Sequence, residues 1–120
     1  MNVSIIHKSN VKDSVLDDLA RELPIIVSEA LELPGGKLAV LKPDQISLDF
    51  SRASVRDVGP DIRIKVLARN INLRTNTENE RAKSILKKVV ALVSKPGEEC
   101  SIDVRLYLME IGAAEHLMSI

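Results

Sequence analysis

Apolar and polar residues alternate with the strand period along several stretches of this chain and recur at threes and fours along two others. The cleanest alternation runs from Asp61 to Arg69. There Ile62, Ile64, Val66 and Ala68 share one face, while Asp61, Arg63, Lys65 and Leu67 share the other. Ser101 to Leu108 repeats the pattern, with Ile102, Val104, Leu106 and Leu108 set against Asp103, Arg105 and Tyr107. Val3 and Ile5, with Ile6 beside them, predict a short first strand ending at His7. From Gln45 the positions Ile46, Leu48 and Phe50 alternate, but Ala53 and Val55 have the opposite parity, which predicts a β-bulge near Ser51 or Arg52.

The helical period appears first in Val11, Val15, Leu16, Leu19, Ala20, Leu23, Ile26, Val27, Ala30 and Leu31, behind the N-cap chemistry of Ser9, Asn10 and Asp13. Pro24 lies inside this run, removes a backbone donor and crowds the carbonyl of Ala20, so a kink or a break is expected there. Leu33-Pro34-Gly35-Gly36 ends the helix, and Lys37 to Leu41 reads as a loop or a single helical turn. The second helix places Ala82, Ile85, Leu86, Val89, Val90 and Val93 in the core and Arg81, Lys83, Lys87 and Lys88 in water. Thr75 and Thr77 each stand three residues before a glutamate, Glu78 and Glu80, and offer two capping boxes for its start. Lys95-Pro96-Gly97 stops it, and the tail from Glu110 to Ile120 is apolar in part, without a helix of any length.

The predicted order is strand, helix, strand, then strand, helix, strand, in a single domain over 1–120: a first βαβ unit over 1–58, a second over 61–109, and a tail over 110–120. This is an α/β (α+β) chain. Two topologies share the order. A ferredoxin-like sheet inserts a strand into each unit, whereas two intact right-handed βαβ units give a four-stranded mixed sheet with two helices on one face. Seventeen basic residues cancel seventeen acidic ones, and one Tyr, one Phe and no Trp leave no stacking platform, so nucleic acid is not an expected partner. No apolar run approaches a membrane span and the first residues lack the pattern of a signal peptide. Cys100 is the only cysteine and His7 and His116 the only histidines, which leaves no metal-site spacing, no cofactor motif and no internal disulfide. The expected compartment is the cytoplasm.

The exit of the strand ending at Arg69, the loop holding Arg74 and the start of the following helix meet at one place, where an anion is expected to bind. Arg69 and Arg74 are therefore the first candidates to hold a carboxylate, because a guanidinium presents a planar fork. Arg52 and Arg56 are candidates from the second strand, and Tyr107 is a candidate donor on the polar side of the last. His7 and His116 read as surface or interface histidines and Cys100 as a structural thiol.

The strand 62–69, the loop with Arg74, the helix from Glu80 to Val93 and the strand from Ile102 to Leu108 followed by Met109-Glu110-Ile111-Gly112-Ala113-Ala114-Glu115 together resemble the tautomerase superfamily. That group contains 4-oxalocrotonate tautomerase, 5-carboxymethyl-2-hydroxymuconate isomerase and macrophage migration inhibitory factor. The first half resembles it in its opening strand, its long helix and Pro43-Asp44 before Ile46-Ser47-Leu48. The resemblance implies two intact βαβ units, a homotrimer with three sheets around a central axis, and keto–enol chemistry by an N-terminal proline beside substrate-binding arginines. This sequence begins Met1-Asn2, so that proline is absent. The resemblance then leaves the α-amine of Met1 as the basic group, a weaker base or an imine former, and implies weak or lost isomerase activity on a small carboxylate. A non-enzymatic trimeric binding protein of the same fold and a ferredoxin-like domain binding an effector at a dimer interface are the alternatives. The apolar tail, with Ile111, Leu117, Met118 and Ile120, is expected to pack on a neighbouring subunit.

Overall fold

The computed structural model describes residues 1–32, 45–71, 74–96 and 99–118. In chain order the elements are β1 (Asn2–His7), α1 (Asp13–Ala30), β2 (Ser47–Arg52), β3 (Ile62–Arg69), α2 (Glu78–Val93) and β4 (Ile102–Met109). They form a four-stranded sheet of order β2-β1-β3-β4. β1 pairs parallel with β2, antiparallel with β3, and β3 pairs parallel with β4. Each helix thus connects two hydrogen-bonded neighbours, which is the arrangement of two intact βαβ units; a ferredoxin-like sheet would separate β1 from β2.

The register explains the core. Val3, Ile5 and His7 stand opposite Val66, Ile64 and Ile62, and these share a face with Ile102, Val104 and Leu106. The helices cover that face: Val15, Leu19, Leu23, Ile26 and Val27 of α1 and Ile85, Val89 and Val93 of α2 are buried with it in one cluster. His7, expected at a surface or interface, lies on the covered face and is buried. The other face, called the outer face below, carries Asn2, Ser4 and Ile6, then Arg63, Lys65, Leu67 and Arg69, then Asp103, Arg105, Tyr107 and Met109.

Helix α1 runs unbroken through Pro24. The proline forfeits one backbone bond, but Leu19 and Leu23 before it and Ile26 and Val27 after it are all buried on one stripe, and that packing holds the two halves together. Its N-cap is Lys12, which makes no side-chain capping bond to the helix; Asn10 instead donates to Asp61. Residues 33–44, and with them the Pro-Gly-Gly stop and the Lys37 to Leu41 turn, lie outside the described residues.

Strand β2 contains no bulge. Its pairing with β1 is continuous from Asn2 opposite Ser47 to His7 opposite Arg52, and the last rung is Ala53 N–H donating to the His7 carbonyl at 2.8 Å. The parity change at Ala53 and Val55 marks departure from the sheet into a turn, where Asp57 N–H donates to the Ser54 carbonyl and Val55 is 97% exposed. Neither capping box forms at α2. Thr77 is the N-cap, but its hydroxyl donates to the Arg74 carbonyl at 2.6 Å and accepts from Arg81 Nε at 2.8 Å; Thr75 donates to Asn70. The turn before the helix passes through Asn76 at φ 67°, a left-handed conformation that asparagine tolerates. Ile85, Val89 and Val93 are buried as the helical period predicts, whereas Val90 is 40% exposed.

Candidate functional site

Because β1 and β3 are antiparallel and each pairs parallel with its partner, the starts of β1 and β2 meet the ends of β3 and β4. A cavity of about 660 Å3 lies at that end of the sheet. Its walls are the apolar side chains of Met1, Leu67, Met109 and Ile111, with Asn2, Ser47 and Glu110 adding polar groups. No arginine or lysine lines it among the described residues. The start of the first strand and an apolar cavity are therefore brought together, and Glu110 gives the lining an acidic group.

The candidate arginines are placed differently from one another. Arg69 follows Leu67 on the same face of β3, opposite Met109, and is exposed, one pleat beyond the cavity wall. Arg74 is 3% exposed and turned the other way. Its Nε donates to the Leu31 carbonyl at 3.3 Å and a terminal nitrogen donates to the Arg69 carbonyl at 3.4 Å. Beside it Arg81 donates to the carbonyls of Ala30 at 2.7 Å and Glu32 at 3.1 Å. The two guanidinium groups thus clamp the C-terminal end of α1, where unpaired carbonyls and the negative pole of the helix favour cations. Burial first, then the charge of Arg81, pushes the Arg74 guanidinium below its ordinary pKa.

Arg52 ends β2 opposite His7, and Arg56 lies in the turn that follows. Both are at the far end of the sheet from Met1, about 17 Å away for a strand of this length. A single chain does not bring them to the Met1 cavity. Tyr107 stands between the two ends on the outer face, opposite Leu67, and it lines a different cavity together with Arg63, Lys65 and Arg105. In the alternation Lys65 and Arg105 are ordinary polar positions; the signal for them is their parity, which puts them on one face with Tyr107. His116 is exposed in the tail, and Cys100 is half-buried against the core. Among the described residues no group of histidine, cysteine, aspartate and glutamate could hold a metal ion, and no helix is long and apolar enough to cross a membrane.

No protein-family model matches the sequence, and no curated protein does. Solved structures do match. A member of the cis-3-chloroacrylic acid dehalogenase family superposes with TM-score 0.65 at 12% identity, over 92% of this chain and 76% of that one. A fused 4-OT, described as a wild-type symmetric trimer, gives 0.63 at 12% identity over 98% and 94%. Malonate semialdehyde decarboxylase gives 0.55 at 10% identity over 92% and 85%. These are tautomerase superfamily structures, and the fold of this chain is theirs.

Proposed function

We propose that this chain is a tautomerase-fold protein, assembled as a homotrimer, whose keto–enol isomerase activity toward a small carboxylate is weak or lost. The observation that carries the reading is the cavity at the start of β1, lined by Met1, Leu67, Met109, Ile111 and Glu110. In this reading the α-amine of Met1 is the group that moves a proton between carbon and oxygen, and Arg69 is the cation that reaches a substrate carboxylate from the end of β3. Both parts are poorly served. On this reading residues 1 and 2, Met and Asn, offer a primary amine in place of a proline, and the charged group that lines the cavity among the described residues is the carboxylate of Glu110, which repels a substrate carboxylate.

The test is ultraviolet absorbance of an enolisable 2-keto acid mixed with the purified protein whose first residue has been checked by intact mass. The wild type is expected to enolise it little faster than buffer, and Asn2→Pro, which permits removal of Met1, is expected to raise the rate. A rapid wild-type reaction would overturn the reading of weak activity. An inert Asn2→Pro variant that is folded and carries proline first would remove the claim that only the base is missing.

A further inference from the structure

The turn between β2 and β3 stands at one end of the sheet and the tail begins at the other, because β2 runs away from Met1 and β4 runs toward it. Each carries apolar side chains into water. Val55 and Val58 of the turn are 97% and 98% exposed, and Leu117 and Met118 of the tail are uncovered as well. A single exposed valine on a loop is ordinary, but two apolar pairs at opposite ends of one small domain are the pattern of contact surfaces.

The charges beside the two pairs have opposite signs. Arg52 and Arg56 flank the turn, exposed and without a carboxylate partner among the described residues. The acid of the turn, Asp57, is already held by Arg63 and by the Gly59 N–H at 2.7 Å. The tail carries Glu110 and Glu115, both exposed, and no lysine or arginine stands between Tyr107 and Ile120. A two-fold contact would set arginine against arginine or glutamate against glutamate, and like charges so placed oppose it. A head-to-tail contact sets each sign against the other and one apolar pair against the other.

We propose that the β2–β3 turn of one copy docks on the tail of the next, with Val55 and Val58 against Leu117 and Met118 and with Arg52 and Arg56 facing Glu110 and Glu115. This rests on the homotrimer proposed above and names the surfaces that join it. Each copy gives its turn to one neighbour and receives a turn from the other. A contact of this kind uses two different patches, so it closes into a ring or runs on into a filament, and three copies are the closure that the homotrimer supplies.

The experiment uses the full chain with Cys100→Ala, so that no native thiol competes, together with Val55→Cys and Leu117→Cys. Oxidation with copper phenanthroline, followed by denaturing electrophoresis without reductant, is expected to give disulfide-linked species of two and three chains. Val55→Cys with Lys87→Cys, whose second thiol stands at an exposed position of α2, is expected to remain in single chains. Arg52→Glu with Arg56→Glu is expected to raise the concentration at which the trimer dissociates about tenfold, read by light scattering, and Glu110→Arg with Glu115→Arg added in the same chain to restore it. That restoration separates a lost contact from a lost fold. A protein that is trimeric yet forms no 55–117 link, links each chain to itself, or is indifferent to the charge reversal would overturn the contact and leave the trimer standing. A wild-type monomer would overturn both, and links running beyond three chains would keep the contact and overturn the closed ring.

Discussion

Arg74 sits beneath the end of α1, with its guanidinium on the carbonyls of Leu31 and Arg69, while Arg69 itself points from the outer face into solvent. The side-chain patterns around these arginines look alike in the sequence, since each follows an apolar residue and stands within two positions of an asparagine near a strand exit. What separates them is a turn in which Arg74 N–H donates to the Ile71 carbonyl at 2.7 Å, and a partner forty-three positions away, Leu31. No local pattern carries that partner. The energetic consequence differs accordingly. Arg74→Met leaves the Leu31 and Arg69 carbonyls without their charged donor in a buried setting and is expected to cost about 2 kcal/mol of unfolding free energy. Arg69→Met is expected to stay within about 0.5 kcal/mol of wild type, because its side chain is solvated. Urea unfolding of the two variants checks this, and equal midpoints would remove the structural role from Arg74.

Between elements, Asp61 ties three starts together. Its carboxylate accepts from Ser101 N–H at 2.9 Å, from the Ser101 hydroxyl at 3.1 Å and from Asn10 at 3.4 Å, while its carbonyl accepts from Lys8 N–H at 2.9 Å. The starts of β3 and β4 and the β1–α1 connection are thereby joined. The backbone N–H of Ser101 is the largest reason that the Asp61 pKa lies below its ordinary value. A lowered folded-state pKa means that the stabilisation is complete above the unfolded value, near 3.9, and is lost as pH falls through it toward the folded one. Asp61→Asn is expected to lose on the order of 1 kcal/mol at pH 7, kept small by solvent access to the carboxylate, and the gap from wild type is expected to narrow as pH falls below the unfolded carboxylate value, near 3.9. Stability measured against pH for both proteins checks it; a constant gap would mean the charge is not the cause. The strands themselves were readable from alternation because burial on one face is a local, period-two constraint, and β3 follows it residue by residue. A break at Pro24 and a bulge in β2 do not occur, because packing along α1 and the end of strand pairing, not the local rule, decide the outcome.

At the scale of the whole molecule, two βαβ units are legible because each needs only a strand, a helix and a strand in order, while their union through β1 and β3 depends on contacts that no short pattern holds. The candidate cavity at Met1 is legible only after that union, since its walls come from the starts of β1 and β2 and the ends of β3 and β4. The same union leaves β2 and β4 as open edges, and it leaves apolar residues uncovered beyond β4. Leu117 is 77% and Met118 81% exposed in a described tail that forms neither helix nor strand. Such side chains, together with Phe50 on the thinly covered edge strand, exceed what a small monomer exposes without a partner. The cyclic assembly proposed above would bury them by repeating one contact. Light scattering on the purified chain is therefore expected to give three times the chain mass, and Leu117→Asp with Met118→Asp to shift it toward one, because two carboxylates would have to be buried at each contact. The charge change leaves the helix-covered core untouched, so the variant is expected to keep the wild-type circular dichroism. A wild-type monomer, or a trimer indifferent to both aspartates, would take the tail out of the interface.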